Sequence, residues 1–161
     1  MGTHIRQKQQ GFTLIELLIV SIIVGILATL VAMTYSGVQA KNRNARRQTD
    51  IQQIQSQLEA YYAQHSQYPS LANLSDSKWR ADNMKDLKED LVSDPSWKDG
   101  VSSCTANGKA TFTSQPAEKC YSYQATAADG ASCTDEAVVC AQYTLTASLE
   151  GGEKYVKSSL N

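Results

Sequence analysis

The chain has 161 residues and a formal net charge of −1, with 15 Lys and Arg against 16 Asp and Glu. So even a balance offers no bulk attraction to nucleic acid. A single histidine beyond the first ten residues, with no glycine-rich phosphate loop, nucleophile motif or metal-ligand cluster, argues against an enzyme and against a cofactor.

Residues 1–11 are polar, with Arg6 and Lys8 as the clear positive charges. The string GFTLIELLIVSIIVGILATLVAM then runs from Gly11 to Met33 with one charge, Glu16. It is long enough to cross a hydrocarbon core as a helix. A secretory signal peptide has a shorter apolar run with its small-residue cleavage site behind it. Here the small residue, Gly11, comes first, so a cut at that point leaves the apolar helix on the mature chain. Glycine also lets a protease grip extended backbone with no side chain in the way. A carboxylate inside a membrane helix costs about 2.5–3.5 kcal/mol and usually marks function. The plainer alternative is an interfacial Glu16 reaching back to the headgroups.

No proline interrupts Phe12 to His65, and the glycines there are Gly25 and Gly37. The pattern predicts one helix on the order of 80 Å long, with those glycines as soft points. Beyond the membrane segment, Ile51, Ile54, Leu58 and Tyr61 recur at steps of three and four, on one face. The opposite face carries Gln52, Gln53, Gln55, Gln57 and Glu59. This predicts a helix half covered by a small sheet, since a free coiled coil needs a longer heptad run. The basic cluster Lys41, Arg43, Arg46 and Arg47 reads as a solvated face or an inter-subunit contact. Anionic lipid or DNA is the lesser alternative, because no aromatic residue is interleaved with it.

Tyr68-Pro69-Ser70 ends the helix. A short helix is expected over Asn83 to Val92, stopped by Asp94-Pro95. Trp97 to Pro116 reads as loop with a short strand around Thr111 to Thr113. Alternation over Tyr121 to Ala127 and Tyr143 to Leu149 predicts two half-buried antiparallel strands. Asp129-Gly130 turns between them, and Gly151-Gly152 turns into Tyr155 and Val156. Tyr121, Tyr123 and Tyr143 are expected in the core. The fold class is therefore α+β, a long N-terminal helix with a transmembrane half and an amphipathic half packed against a small antiparallel sheet. Its expected parts are 1–11, 12–33, 34–66 and a globular head over 67–161.

Cys104, Cys120, Cys133 and Cys140 all lie in the C-terminal third, none in a CxxC pair. An even number behind an export segment predicts two disulfides made in an oxidising compartment. Three pairings are open; Cys104–Cys120 with Cys133–Cys140 is preferred, because both bridges close local loops. Asp129, Asp135 and Glu136 are too few to predict a calcium loop, and no metal is expected. Flanking charges alone, with Arg6 and Lys8 facing Lys41, Arg43, Arg46 and Arg47, lean toward a cytoplasmic head. The cysteines argue for the opposite orientation.

The basic leader, Gly11, Phe12 and Glu16 within GFTLIELLIV resemble the prepilins of type IV pili and the related pseudopilins of type II secretion. The string YYAQHSQYPSLANL, residues 61–74, is similar to the helix-to-loop junction of the same proteins. The resemblance implies cleavage between Gly11 and Phe12 by a membrane prepilin peptidase and methylation of the new amine on Phe12. It also implies a charge pair between Glu16 and the Phe12 amine of a neighbouring subunit. The implied assembly is a homo-oligomeric helical filament built by membrane machinery. The implied location is the cytoplasmic membrane as a single-pass precursor, then an extracellular pilus serving adhesion, surface motility or DNA uptake. Nucleic acid is a possible partner without support from the charge. Many pilins carry a helix-kinking proline where this chain has Met33, so a proline-dependent softening does not carry over. Two alternatives stand beside the pilus subunit: a secretion pseudopilin, and an anchored receptor domain that never polymerises.

Overall fold

The computed structural model describes residues 11–97, 102–135 and 138–160, and all side chains among them except those of residues 32–34, 36 and 102. The expected leader, apart from Gly11, and the carboxylate of Glu136 lie outside the described residues. The chain divides into two compact units, Met1–Gln39 and Ala40–Asn161. Helix α1, Leu14–His65, has 52 residues, and Gly25 and Gly37 do not break it.

In the first unit the apolar part of α1 stands bare, and every residue from Leu14 to Val31 is exposed. Its few hydroxyls turn inward on their own helix. Ser21 Oγ donates to the Leu18 carbonyl at 2.8 Å, and Thr29 Oγ1 to that of Ile26 at 2.7 Å. A helix whose polar groups are satisfied by its own backbone can face hydrocarbon on all sides.

The second unit begins with the amphipathic half of α1. Ile51, Ile54 and Leu58 are fully buried and Tyr61 nearly so, as their spacing predicts. The helix stops where Ser66 adopts φ 55° and its N–H bonds back to the Tyr62 carbonyl at 2.7 Å. Tyr68 then pairs with Cys140 through a single bridge.

Two short helices follow that the sequence analysis does not predict: α2, Leu71–Ser75, and α3, Ser77–Asn83. Ser70 caps the first through Asn73 N–H at 3.2 Å, and Asp76 caps the second through Lys78 N–H at 2.8 Å. The single helix expected over 83–92 is not formed. Met84, at φ −135° and ψ 65°, terminates α3, and α4 covers Glu89–Val92 alone.

Another departure lies at β1, Thr105–Ala106, and β2, Lys109–Ala110. These strands pair around Asn107 and Gly108, whose φ values of 53° and 73° are what a type I′ hairpin turn requires. The strand expected at Thr111 to Thr113 reduces to one residue, Thr113, in a parallel bridge with Ser122.

The main sheet is an antiparallel meander of β3, Tyr121–Thr126, β4, Gln142–Ser148, and β5, Lys154–Ser158. Its register sets Tyr121 opposite Ala147, Tyr123 opposite Leu145 and Ala125 opposite Tyr143. All six are buried and join Ile51, Ile54 and Leu58 in one core. Ser122 and Thr146, paired across the same strands, are buried as well, so the centre of the sheet is covered on both faces. Long helix plus small antiparallel sheet is the α+β class that the sequence predicts.

Candidate processing and assembly site

Gly11, Phe12 and Thr13 precede the helix in non-helical backbone, and the Phe12 side chain is 84% exposed. The Gly11–Phe12 bond thus lies outside α1, in chain that a protease can take up extended. Glu16 sits in the first helical turn, where a negative charge also suits the helix dipole. Its carboxylate Oε2 accepts from the Thr13 N–H and from the Thr13 hydroxyl, each at 3.3 Å. The Glu16 N–H donates in return to Thr13 Oγ1, also at 3.3 Å. This is a reciprocal capping box, with Thr13 as the cap and Glu16 three residues on. The Thr-x-x-Glu pattern ahead of an apolar run is legible in the sequence, yet the reading of Glu16 there passed over Thr13.

Two residues of the basic cluster of the second unit, Arg43 and Arg47, are tied into the fold by acidic groups. Arg43 clamps Glu150 through Nε, and through Nη2 at 2.7 Å. Arg47 is buried and holds Asp94 at 2.6 and 3.0 Å, reaching Glu150 at 3.3 Å. Arg46 lies 3.7 Å from Asp50. The expectation of a solvated or inter-subunit basic face is corrected for Arg43 and Arg47, which acidic groups distant in sequence neutralise, whereas Arg46, 52% exposed, stays on the solvated surface. The Arg43 hydrogen bonds outweigh desolvation and hold the Glu150 carboxyl down to about 2, with Arg47 adding to the effect. Burial raises the Asp50 pKa, partly opposed by the hydroxyl of Tyr121 that donates to it at 2.8 Å.

The cysteines divide. Cys104 and Cys120 form a disulfide with a Cα–Cα distance of 5.8 Å. The second expected bridge is absent: Cys133 and Cys140 are buried thiols. Both sulfurs point at one acceptor, the Val138 carbonyl, at 3.6 Å each, and no disulfide joins them. Burial, then the hydrogen bond with Cys133, pushes the Cys140 thiol up to about 12. Of the acidic residues near that loop, Asp129 is turned onto its own backbone and accepts from the Ala131 N–H at 2.9 Å.

An exposed apolar helix long enough to cross a membrane, a glycine–phenylalanine junction just ahead of it and one carboxylate a turn inside make up the site. The prokaryotic N-terminal methylation motif matches residues 6–32. Over 64 residues the chain is 38% identical to the type II secretion system core protein G of Dickeya chrysanthemi, covering 40% of this chain and 42% of that protein. The corresponding protein of Klebsiella michiganensis is 40% identical over 65 residues, 40% of this chain and 46% of that one. The type IV major pilin protein PilA of Myxococcus xanthus is 30% identical over 66 residues, 41% of this chain and 30% of the pilin. The chain thus spans less than half the length of the curated relatives it matches. No solved structure matches. Motif and relatives support the pilin and pseudopilin family that GFTLIELLIV points to.

Proposed function

We propose that this chain is a non-enzymatic filament subunit, cut between Gly11 and Phe12 and assembled through its apolar helix into a type IV pilus. The carrying observation is the fully exposed helix surface from Leu14 to Val31, interrupted by one carboxylate at Glu16. In the membrane that surface is solvated by lipid. In a filament it is covered by copies of itself.

Hydrolysis of the Gly11–Phe12 bond consumes one water and leaves a carboxylate on Gly11 and an ammonium on Phe12. That cation is what Glu16 of a neighbouring copy lacks in a medium of low dielectric constant, and removing either charge strands the other. Methylation of the Phe12 amine keeps its charge. Prepilin peptidase and a membrane assembly machine are the partners this route requires, and adhesion, surface motility or DNA uptake is the service of the finished fibre.

The names of the Dickeya and Klebsiella relatives favour a second reading, a short secretion pseudopilus built by the same chemistry. Deleting the gene separates the two. Loss of long surface fibres with normal protein secretion supports the pilus, whereas retention of exported enzymes inside the envelope supports the pseudopilus. The N-terminus of the protein from cells tests processing directly. A chain starting at Phe12 is expected, and an assembled chain still carrying Gly11 overturns both readings. Glu16→Ala should leave the subunit in the membrane and stop fibre formation; unchanged fibre yield overturns the charge pair.

A further inference from the structure

We propose that two charged surfaces of the second unit, set on different sides of α1 and at different heights along it, are the two halves of one contact between neighbouring copies of this chain. One half is the groove between residues 116–119 and the turn from β4 to β5. The other lies where α3 ends and the chain leads toward α4. This rests on the filament reading above.

The groove has a volume of about 670 Å³. Arg43 and Arg47 in its lining are already neutralised by Glu150 and Asp94. Three more charges line it, Glu118, Lys119 and Lys154, all exposed. Lys119 adjoins Cys120, whose bridge to Cys104 restrains the loop that carries it. The second surface has the opposite signs: Asp82, Lys85 and Asp86, also exposed, beside Gln57 and Gln64 of α1. None of these six side chains is paired with another group among the described residues. Two cations and an anion thus answer two anions and a cation, and complementary charge of this kind selects a partner and fixes its register.

The helix sets the two surfaces apart. The groove is level with Arg43 and Arg47 and the second surface with Gln57 and Gln64, about 23 Å further along α1. Gln52 and Gln55 donate to Tyr155 and Ser158 of β5, the strand that carries Lys154. Gln57 and Gln64 leave the helix roughly 160° around from that pair. One copy therefore cannot close its own two surfaces on each other. Copies anchored by the same apolar segment run parallel, and a shift of about 23 Å along α1 brings the acidic surface of one level with the groove of the next. Each copy then offers a different surface to each neighbour, the heterologous arrangement that builds an open filament.

The test is zero-length cross-linking of the full chain, in sheared fibres and in detergent micelles. A carbodiimide joins a carboxylate to an amine in direct contact as an amide and takes up the water released. Products of two-subunit mass should contain Asp82 or Asp86 linked to Lys119 or Lys154, read by peptide mass mapping. In cells, Lys119→Glu with Lys154→Glu should cut fibre yield about tenfold or more, and so should Asp82→Lys with Asp86→Lys. All four changes in one chain should restore it, a rescue that misfolding does not produce. Two-subunit products linked only elsewhere, a yield unmoved by either reversal, or a fourfold variant no better than the reversals overturns the proposal. Should wild-type protein form no fibres, the filament reading falls, while the cross-links in micelles still decide the contact.

Discussion

Arg47 and Asp94, 47 residues apart in the chain, meet as a buried pair, Nε to Oδ2 at 2.6 Å and Nη2 to Oδ1 at 3.0 Å. Their side chains are 3% and 0% exposed. Asp94 also accepts from the Ser96 N–H at 2.7 Å, so one carboxylate fixes both α1 and the turn after α4. Asn44 and Ser96 complete the donors' partners on Arg47.

Removing Asp94 leaves the buried Arg47 with the partly exposed Glu150 as its remaining charged partner. Asp94→Ala should destabilise the protein by about 3 kcal/mol, the low end for breaking a buried pair because Glu150 still faces Arg47. Denaturant unfolding in detergent, followed by tryptophan fluorescence, measures the loss. A double variant replacing Arg47 and Asp94 with apolar residues should recover much of it. An Asp94→Ala protein as stable as wild type refutes the buried-pair account.

The acid response of the second unit follows from two groups with opposite slopes. Glu150 titrates at about 2 instead of its ordinary 4.5, so the clamp by Arg43 contributes stability above pH 4.5 that is lost as pH falls toward 2. Asp50 is raised above 3.8, so the folded state prefers it protonated and its ionisation works against folding as pH rises through that value. Glu150→Gln should flatten the loss of stability between pH 4.5 and 2. Asp50→Asn should raise stability at pH 7, provided the amide oxygen still accepts from Tyr121. Unfolding midpoints across pH 2–7 report both.

Thiol accounting tests the covalent frame. Under denaturing, non-reducing conditions iodoacetamide should label Cys133 and Cys140 and spare Cys104 and Cys120. Peptide mass mapping reads the outcome, and a chain with no reactive thiol contradicts the structure. Replacing both Cys104 and Cys120 by Ser should lower stability by about 3 kcal/mol, chiefly through the unfolded chain.

Glu59 ties three segments together. Tyr143 Oη donates to Oε1 at 2.8 Å, Tyr68 Oη to Oε2 at 2.9 Å, and the Leu160 N–H to Oε1 at 3.3 Å. Glu59→Ala strips the acceptor from two half-hidden hydroxyls and should cost about 2 kcal/mol or more. Glu59→Gln, which keeps an acceptor oxygen, should cost less. Equal stability of both variants to wild type would show that α1 and the sheet are held by the apolar core alone.

The anchor, the helix and the meander were legible in the residues themselves because each rests on local order. An unbroken apolar run, a three-four spacing at Ile51, Ile54, Leu58 and Tyr61, and alternation through Tyr121 and Tyr143 need no distant partner to be recognised. Shorter signals were equally local but easily passed over: Ser70 and Asp76 as caps, Asn107-Gly108 as a hairpin turn, and Thr13 ahead of Glu16. What the tertiary structure alone decided is which charges and sulfurs meet. Arg43 and Arg47 look like part of a free basic face until Glu150 and Asp94 arrive beside them from far along the chain. Cys133 and Cys140 look like a bridge until the Val138 carbonyl takes both thiols. Electrostatic and sulfur pairing depend on ångström-scale distances between segments, and a linear pattern carries no such distances.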